Sequence, residues 1–288
     1  MLMPVKEQKP LLSQIDVYGA THKGRVRETN ADHFLVASFH RAILVHAASV
    51  STESLPAFSP DSRGFVLLVA DGVGSMKHGG EGSAKVTDAI ARYLLQMSEV
   101  SLQTQPNREK ELLDRLRETV SAAHKELQDY AHEMGAGAAT TITVCHMLWP
   151  CAFIAHAGDS RAYRLRDGTL ERMTTDQTMA QAMIDSGTMS KEAAEASRFR
   201  NVLLSAVGGH SLDLDVSATD LKRDDRWLLC SDGLTRHVSD DEIHHALASD
   251  RESRMVCDEL IELTLKRGAE DNVTVIASRA RPVGGIVG

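Results

Sequence analysis

The sequence predicts an α+β fold of antiparallel sheets with helices packed on their outer faces. Three observations carry this. Apolar, β-branched runs of strand length recur along the chain, among them Phe65-Val66-Leu67-Leu68-Val69, Trp227-Leu228-Leu229-Cys230 and Val273-Thr274-Val275-Ile276. Runs of this length read as buried strands. Long helical patterns come as a pair between runs of hairpin strands, not in strict β–α alternation, which disfavours a doubly wound parallel sheet. Finally, each of the three runs adjoins an acidic turn: Asp71-Gly72 follows the first, Asp232-Gly233 the second, and Asp271-Asn272 precedes the third. A carboxylate at the end of a buried strand is held rigidly and can face a cleft. Three of them from distant parts of the chain would make a nest for hard divalent cations, which prefer oxygen ligands.

Taken in order, residues 1–13 read as a loose leader, 15–20 as a first strand, 21–30 as a polar, basic turn and 33–38 as a second strand. Residues 40–63 lack periodicity and form an irregular insertion, with an extra strand at 42–48. A strand at 65–70 ends on Asp71, and a Gly-rich loop, 72–82, leads into a helix over 81–97. Val86, Ile90, Tyr93, Leu94 and Met97 form the apolar face of that helix. A second helix follows Asn107. Its Leu112, Leu116, Val120, Ala123, Leu127, Tyr130 and Met134 recur every three or four residues and make one core stripe. Strands are expected at 139–148, 151–156, 161–166 and 170–173, the last pair joined by an Asp167-Gly168 hairpin turn.

Residues 176–200 read as a mobile excursion, two short helices at 181–186 and 191–197 broken at Ser186-Gly187-Thr188. Strand-like pieces resume at 202–207, 213–218 and 226–230. Ser239-Asp240-Asp241-Glu242 is a capping box opening a helix. A last helix over 252–266 precedes a strand at 273–278, and 282–288 is a Gly-rich flexible tail.

Length alone, 288 residues, permits one or two domains. The net charge of −8, without a basic stripe or aromatic stacking run, argues against a nucleic-acid partner. No stretch approaches the ~20 apolar residues of a membrane span, and residues 1–14 hold no apolar signal-peptide core. Cys145, Cys151, Cys230 and Cys257 show no CxxC spacing and read as free thiols of a reducing cytoplasm. A cytoplasmic monomer without membrane attachment is the expectation.

The acidic turns keep a fixed company. In order the chain has Gly24-Arg25-Val26-Arg27-Glu28-Thr29-Asn30-Ala31-Asp32, Val69-Ala70-Asp71-Gly72-Val73-Gly74, Gly137-Ala138-Ala139-Thr140-Thr141, Ala157-Gly158-Asp159-Ser160-Arg161-Ala162-Tyr163, Leu229-Cys230-Ser231-Asp232-Gly233-Leu234 and Asp271-Asn272-Val273-Thr274. Together these resemble the metal-dependent 2C-type Ser/Thr protein phosphatases in their compact bacterial form, over nearly the whole chain. The resemblance implies a central sandwich of two antiparallel sheets flanked by helices on both sides. It makes 14–281 a single catalytic domain with 176–200 as its flap.

The resemblance also implies roles. Asp71 would bridge two Mn²⁺ or Mg²⁺ ions, with the Gly72 carbonyl completing one side and Asp232 and Asp271 holding the other metal. Asp159, with Asp232, matches a third, weaker site. Asp32 matches an acid that hydrogen-bonds metal-held water, and Arg27 matches the phosphate clamp, whose fork suits two phosphate oxygens. Asn272 would support the Asp271 turn. The implied reaction is hydrolysis of phosphoserine and phosphothreonine in proteins by direct attack of a bridging hydroxide, without a phosphoenzyme, on substrates made by a Ser/Thr kinase. Metal pairs suit so slow a reaction because they lower the pKa of water and screen charge.

The chain departs from the family pattern in three places. Ala31 stands where an acid or amide is common, Val73 where some members carry a His, and the loop 75–80 is about one residue longer than the usual Gly-Gly-His pattern, leaving His78 without a role. Bland readings stand beside each choice. Asp-Gly is commonly a turn former, Arg27 could be merely solvated, Asp159 merely structural, and His156 a satisfied core histidine. Two other functions stay open: an inactive phosphoprotein-binding relative, and a phosphatase of a small phosphorylated metabolite.

Overall fold

The computed structural model describes residues 10–11, 14–39, 43–48, 64–73, 79–99, 108–135 and 137–280. In chain order the elements are β1 (Ile15–His22), β2 (Asp32–Phe39), β3 (Ile43–Ala48), β4 (Gly64–Val73), α1 (Gly79–Glu99), α2 (Arg108–Met134), β5 (Ala139–Thr140), β6 (Ile142–Leu148), β7 (Cys151–Ala157), β8 (Arg161–Arg166) and β9 (Thr169–Arg172). There follow α3 (Met179–Asp185), α4 (Lys191–Glu195), a 3-10 turn (Arg198–Asn201), β10 (Asp215–Asp220), β11 (Arg226–Cys230), α5 (Asp232–Thr235), α6 (Asp240–Ala248), α7 (Ser253–Lys266) and β12 (Val273–Ala280).

Two sheets form, and every strand pairing among the described residues is antiparallel. One runs β1-β12-β11-β8-β9; the other runs β10-β7-β6-β4-β2-β3, with β5 added to the end of β4. Alternation along each strand sends side chains to two faces. On β4, Leu67 and Val69 enter the layer between the sheets, where they meet Phe34, Trp227, Leu229 and Ile276. Val66, Leu68 and Ala70 point the other way, onto Val86 and Ile90 of α1 and Leu116 and Val120 of α2. Leu228 and Val275 pack outward against Ile243, Val256 and Leu260 of α6 and α7. The result is the expected α-β-β-α sandwich.

The α2 stripe is buried from Leu112 to Leu127, but Met134 is 50% exposed. The expected strand 139–148 is broken at Thr141, where the chain leaves β6 and adds β5 to Gly72 and Val73. Residues 202–207 are not a strand; they contribute the isolated bridges Thr178–Leu203 and Thr140–Val207. Asp232, expected in a turn, opens a short helix. The capping box is present, Ser239 and Glu242 satisfying each other's backbone N–H. Most of the insertion 40–63 and most of the leader, the loop 74–78 with His78, and the tail 282–288 lie outside the described residues, as do the side chains of Leu94 and Met97.

Residues 176–200 are three short capped turns. Thr178, Ser190 and Ser197 each accept from a backbone N–H of the turn that follows. The segment is closed at its base, where Met179 N–H donates to Val202 O (2.8 Å) and Leu204 N–H to Gln177 O (2.8 Å). A fork from Arg161 to Asp176, with contacts of 2.6 to 3.2 Å, ties that base to β8.

Candidate metal centre

The centre is built where β2, β4, β11 and β12 end together. Antiparallel register sets Asp32 directly opposite Asp71. Asp32 is 2% exposed. Its Oδ2 accepts from Ser231 Oγ (2.8 Å) and Thr274 Oγ1 (2.7 Å). The Thr274 hydroxyl has given its proton to Asp32, so it accepts from Thr21 Oγ1 (2.7 Å), which in turn accepts from Asn30 Nδ2 (2.8 Å). One directed chain of donors therefore ends on this carboxylate. Its other oxygen, Oδ1, is buried with no hydrogen-bond partner among the described residues. Burial pushes the Asp32 carboxyl up to about 7, against the two hydroxyls, which lower it.

Asp71 is fixed through its backbone. Its N–H donates to Thr141 Oγ1 (3.1 Å), and its carbonyl accepts from Thr141 N–H and Thr140 Oγ1, both at 2.8 Å. Gly72 N–H donates to Ala31 O at 3.3 Å. The break at Thr141 is thus functional geometry: one residue leaves the ladder to hold the end of β4. Asp159 follows Gly158, whose φ of +115° is left-handed and whose added Cβ would fall 2.6 Å from Thr141 side-chain atoms. Only glycine brings the Asp159 turn this close to Thr141, the residue that holds the Asp71 backbone. Gly233 plays the same part for α5, because a Cβ there would collide with the Asn272 carbonyl.

Asn272 does more than brace its own turn. Its Nδ2 donates to Lys23 O (2.8 Å) and Thr29 O (2.9 Å), while its Oδ1 accepts from Ala31 N–H (2.8 Å). The Arg27 loop is thereby pinned to the start of β12. Arg27 Nε and Nη2 reach Asp271 Oδ1 and Oδ2, both at 2.8 Å. The fork expected for phosphate lies on a carboxylate of the centre, with 43% of the Arg27 side chain exposed.

Five carboxylates, Asp32, Asp71, Asp159, Asp232 and Asp271, act on one another. Burial holds Asp71 well above the usual carboxylate range, and the charges of Asp32, Asp232, Asp159 and Asp271 add to it. Burial likewise raises Asp159, reinforced by Asp232 and Asp176 and opposed by Arg236 and Arg161. Asp232 is raised by burial and pulled back by Arg236. Arg27 and Arg236 are bonded to acids of this set, and Arg161 acts on Asp159 through its charge. The donor set is all oxygen, negatively overcharged, and has an orphaned buried Asp32 Oδ1. Those properties fit a hard divalent cation. As the side chains stand, no three acids, His or Cys among the described residues close on one point as a cage, and Arg236 bridges Asp232 and Asp271.

Sequence reading missed Arg236, Ser231, Thr274 and Thr141. Arg236 lies four residues after Asp232, a spacing that places both on one helical face. Reading Asp232-Gly233 as a turn hid that signal. The remaining candidates behave blandly. His156 donates Nε2–H to Thr175 O (3.1 Å), lies 3.0 Å from Thr143 Oγ1 through Nδ1, and burial lowers its pKa: a satisfied core histidine. All four cysteines are free. Burial pushes the Cys230 thiol up to about 12 and raises Cys145 and Cys257 too, so none of these three supplies a thiolate.

Fold and centre together define a sandwich protein with an oxygen-ligand centre of the kind that holds hard cations. The family model for protein phosphatase 2C matches residues 55–272. The serine/threonine phosphatase stp of Listeria monocytogenes is 33% identical over 218 residues, which cover 73% of this chain and 82% of that one. The serine/threonine protein phosphatase PstP of Mycobacterium tuberculosis is 36% identical over 157 residues, 54% of this chain, and the match spans only 30% of that relative's length. The crystal structure of the M. tuberculosis phosphatase PstP/Ppp superposes with a TM-score of 0.74 at 28% identity, covering 93% of this chain and 99% of that one. A structure of the PstP catalytic domain in complex with two manganese ions matches at 27% identity, TM-score 0.71, with 93% and 99% coverage. The chain belongs to the protein phosphatase 2C family.

Proposed function

We propose that this protein is a Mn²⁺- or Mg²⁺-dependent phosphatase of phosphoserine and phosphothreonine in proteins. The observation that carries the reading is the cluster of five mutually acting carboxylates with its buried, orphaned Asp32 Oδ1. Asp71, the Gly72 carbonyl, Asp232 and Asp271 would hold two ions, and Asp159 would share Asp232 in a third site. The manganese-bound PstP neighbour supports this choice of metal. When bound, such ions supply charge neutralisation at the phosphoryl group and activation of water.

The chain's own residues do the rest. Asp32 Oδ1 is free to accept a hydrogen bond from water in the cleft and so orient it, while Oδ2 is locked by Ser231 and Thr274. Arg27 swings its fork from Asp271 to two phosphate oxygens when substrate arrives. The flap 176–200, anchored by Arg161 and Asp176 close to Asp159, selects among protein substrates. Residues 14–281 act as one catalytic domain, because a centre drawing on residues from Arg27 to Asp271 cannot be divided.

Phosphoproteins made by a cognate Ser/Thr kinase are the substrates this chemistry requires. Among the described residues no helix is long and apolar enough to cross a membrane. The four free cysteines support a reducing compartment such as the cytoplasm, and we take the protein to act there as a monomer. The test is hydrolysis of phosphothreonine peptides with Mn²⁺, with Mg²⁺ and with chelator. Activity should vanish with chelator and in Asp71→Asn and Asp232→Asn; undiminished turnover in both variants would overturn the assignment.

A further inference from the structure

Resting on the metal-centre reading above, we propose that Arg236 is a built-in competitor of the metal. Its guanidinium neutralises Asp232 and Asp271 when no divalent ion is bound, and it must leave them for an ion to enter.

The geometry is specific. Because α5 begins at Asp232, Arg236 falls one turn later on the same face, and its own N–H closes that turn on Asp232 O at 3.0 Å. From there Nη2 bonds Asp232 Oδ2 and Nη1 reaches Asp271 Oδ2 at 3.1 Å. The side chain is only 21% exposed, and the two acids it joins are 13% and 18% exposed. Arg27 occupies the outer side of Asp271, whereas Arg236 lies between Asp271 and Asp232. The position held by Arg236 is therefore the one at which both carboxylates would have to meet a shared ion. Asp159 adds to the charge acting on the same guanidinium.

A cation tethered by covalent structure acts as an internal ligand. Any external cation that needs the same oxygens binds more weakly by the factor with which the internal contact must be broken. A hydrogen bond between charged groups changes an equilibrium constant by roughly ten- to a hundredfold. The device has two consequences. It spares the metal-free protein the mutual repulsion of its buried acids. It also raises the metal concentration needed to load the centre, so loading responds to the supply of free divalent ion.

The test is isothermal titration of chelator-stripped protein with Mn²⁺, for the wild type, Arg236→Gln and Arg236→Lys, together with thermal melts in chelator and in saturating Mn²⁺. Arg236→Gln should bind Mn²⁺ about tenfold more tightly than the wild type. Arg236→Lys should fall between them, since an ammonium keeps the charge but loses the planar fork. In chelator Arg236→Gln should melt below the wild type, and saturating Mn²⁺ should close the gap. If the Gln variant does not fold without metal, the Lys variant gives the same test with a smaller factor. Unchanged or weaker affinity in the variants that fold, or a melting deficit that persists in Mn²⁺, would overturn the inference alone. A wild type that takes up no Mn²⁺ would overturn the metal-centre reading, and this inference with it.

Discussion

Arg27 and Asp271 form a two-pronged ion pair across 244 residues of chain, with Nε on one carboxylate oxygen and Nη2 on the other. If the same fork turns to phosphate in the substrate complex, its loss removes a contact to the group that carries the charge in the transition state. Arg27→Ala is expected to lower kcat/KM for a phosphothreonine peptide about 10²-fold. Arg27→Lys should recover only part of this, because an ammonium is not bidentate. Steady-state kinetics in saturating Mn²⁺ decide it; unchanged kcat/KM in Arg27→Ala would leave the fork serving Asp271 alone.

Asp32 Oδ2 depends on two hydroxyls that come from different strand ends, Ser231 and Thr274. Thr274→Val keeps the volume and removes the donor, and it also cuts the chain from Asn30 and Thr21. A buried carboxylate that loses one of its donors costs about 1–3 kcal/mol. Urea denaturation in chelator should show a loss of that size for Thr274→Val, and a similar one for Ser231→Ala, which also releases Thr274 N–H (2.9 Å).

Two glycines with positive φ separate strain from crowding. Gly158 has φ +115° and Thr141 against its face, while Gly168 has φ +77° and nothing within 4 Å. Alanine at Gly168 should cost about 1 kcal/mol, the backbone term alone. Alanine at Gly158 should cost clearly more and displace the Asp159 turn. Paired urea midpoints measure the first effect, and Mn²⁺ titration of Gly158→Ala measures the second.

His156 gives a pH signature. Burial lowers its pKa, so the folded protein holds it neutral where the unfolded chain would already protonate it. Its contribution to stability is complete above the ordinary histidine value near about 6.5. It is lost as pH falls from there through the lower folded value. The buried acids of the centre, raised instead of lowered, contribute in the opposite direction over their own range. The difference between wild type and His156→Gln therefore isolates the ring. That difference in urea midpoint should be constant at pH 7 and above and shrink as pH falls below about 6.5. A difference that stays constant from pH 8 to 5 would show that the ring does not titrate out of step with the unfolded chain.

By itself the sequence determined what depends on local period and on residue chemistry. The apolar runs of β4 and β11, the stripe from Leu112 to Leu127 and the Ser239–Glu242 box are all patterns within a few residues, and each has the predicted structure. The acids at strand ends were visible for the same reason, since Asp beside an apolar run is a local feature. Tertiary structure alone decided which groups meet. Arg27 lies on Asp271, Arg236 lies between two acids, Asp32 has one oxygen locked and one orphaned, and Thr141 leaves its strand to hold Asp71. Apart from the Arg236–Asp232 contact, these pairings join residues about thirty-five to more than two hundred positions apart. They follow from how two sheets and their end loops close on each other. No periodicity reports that closure, because a side chain's partner is set by the geometry of strands it never neighbours in the chain.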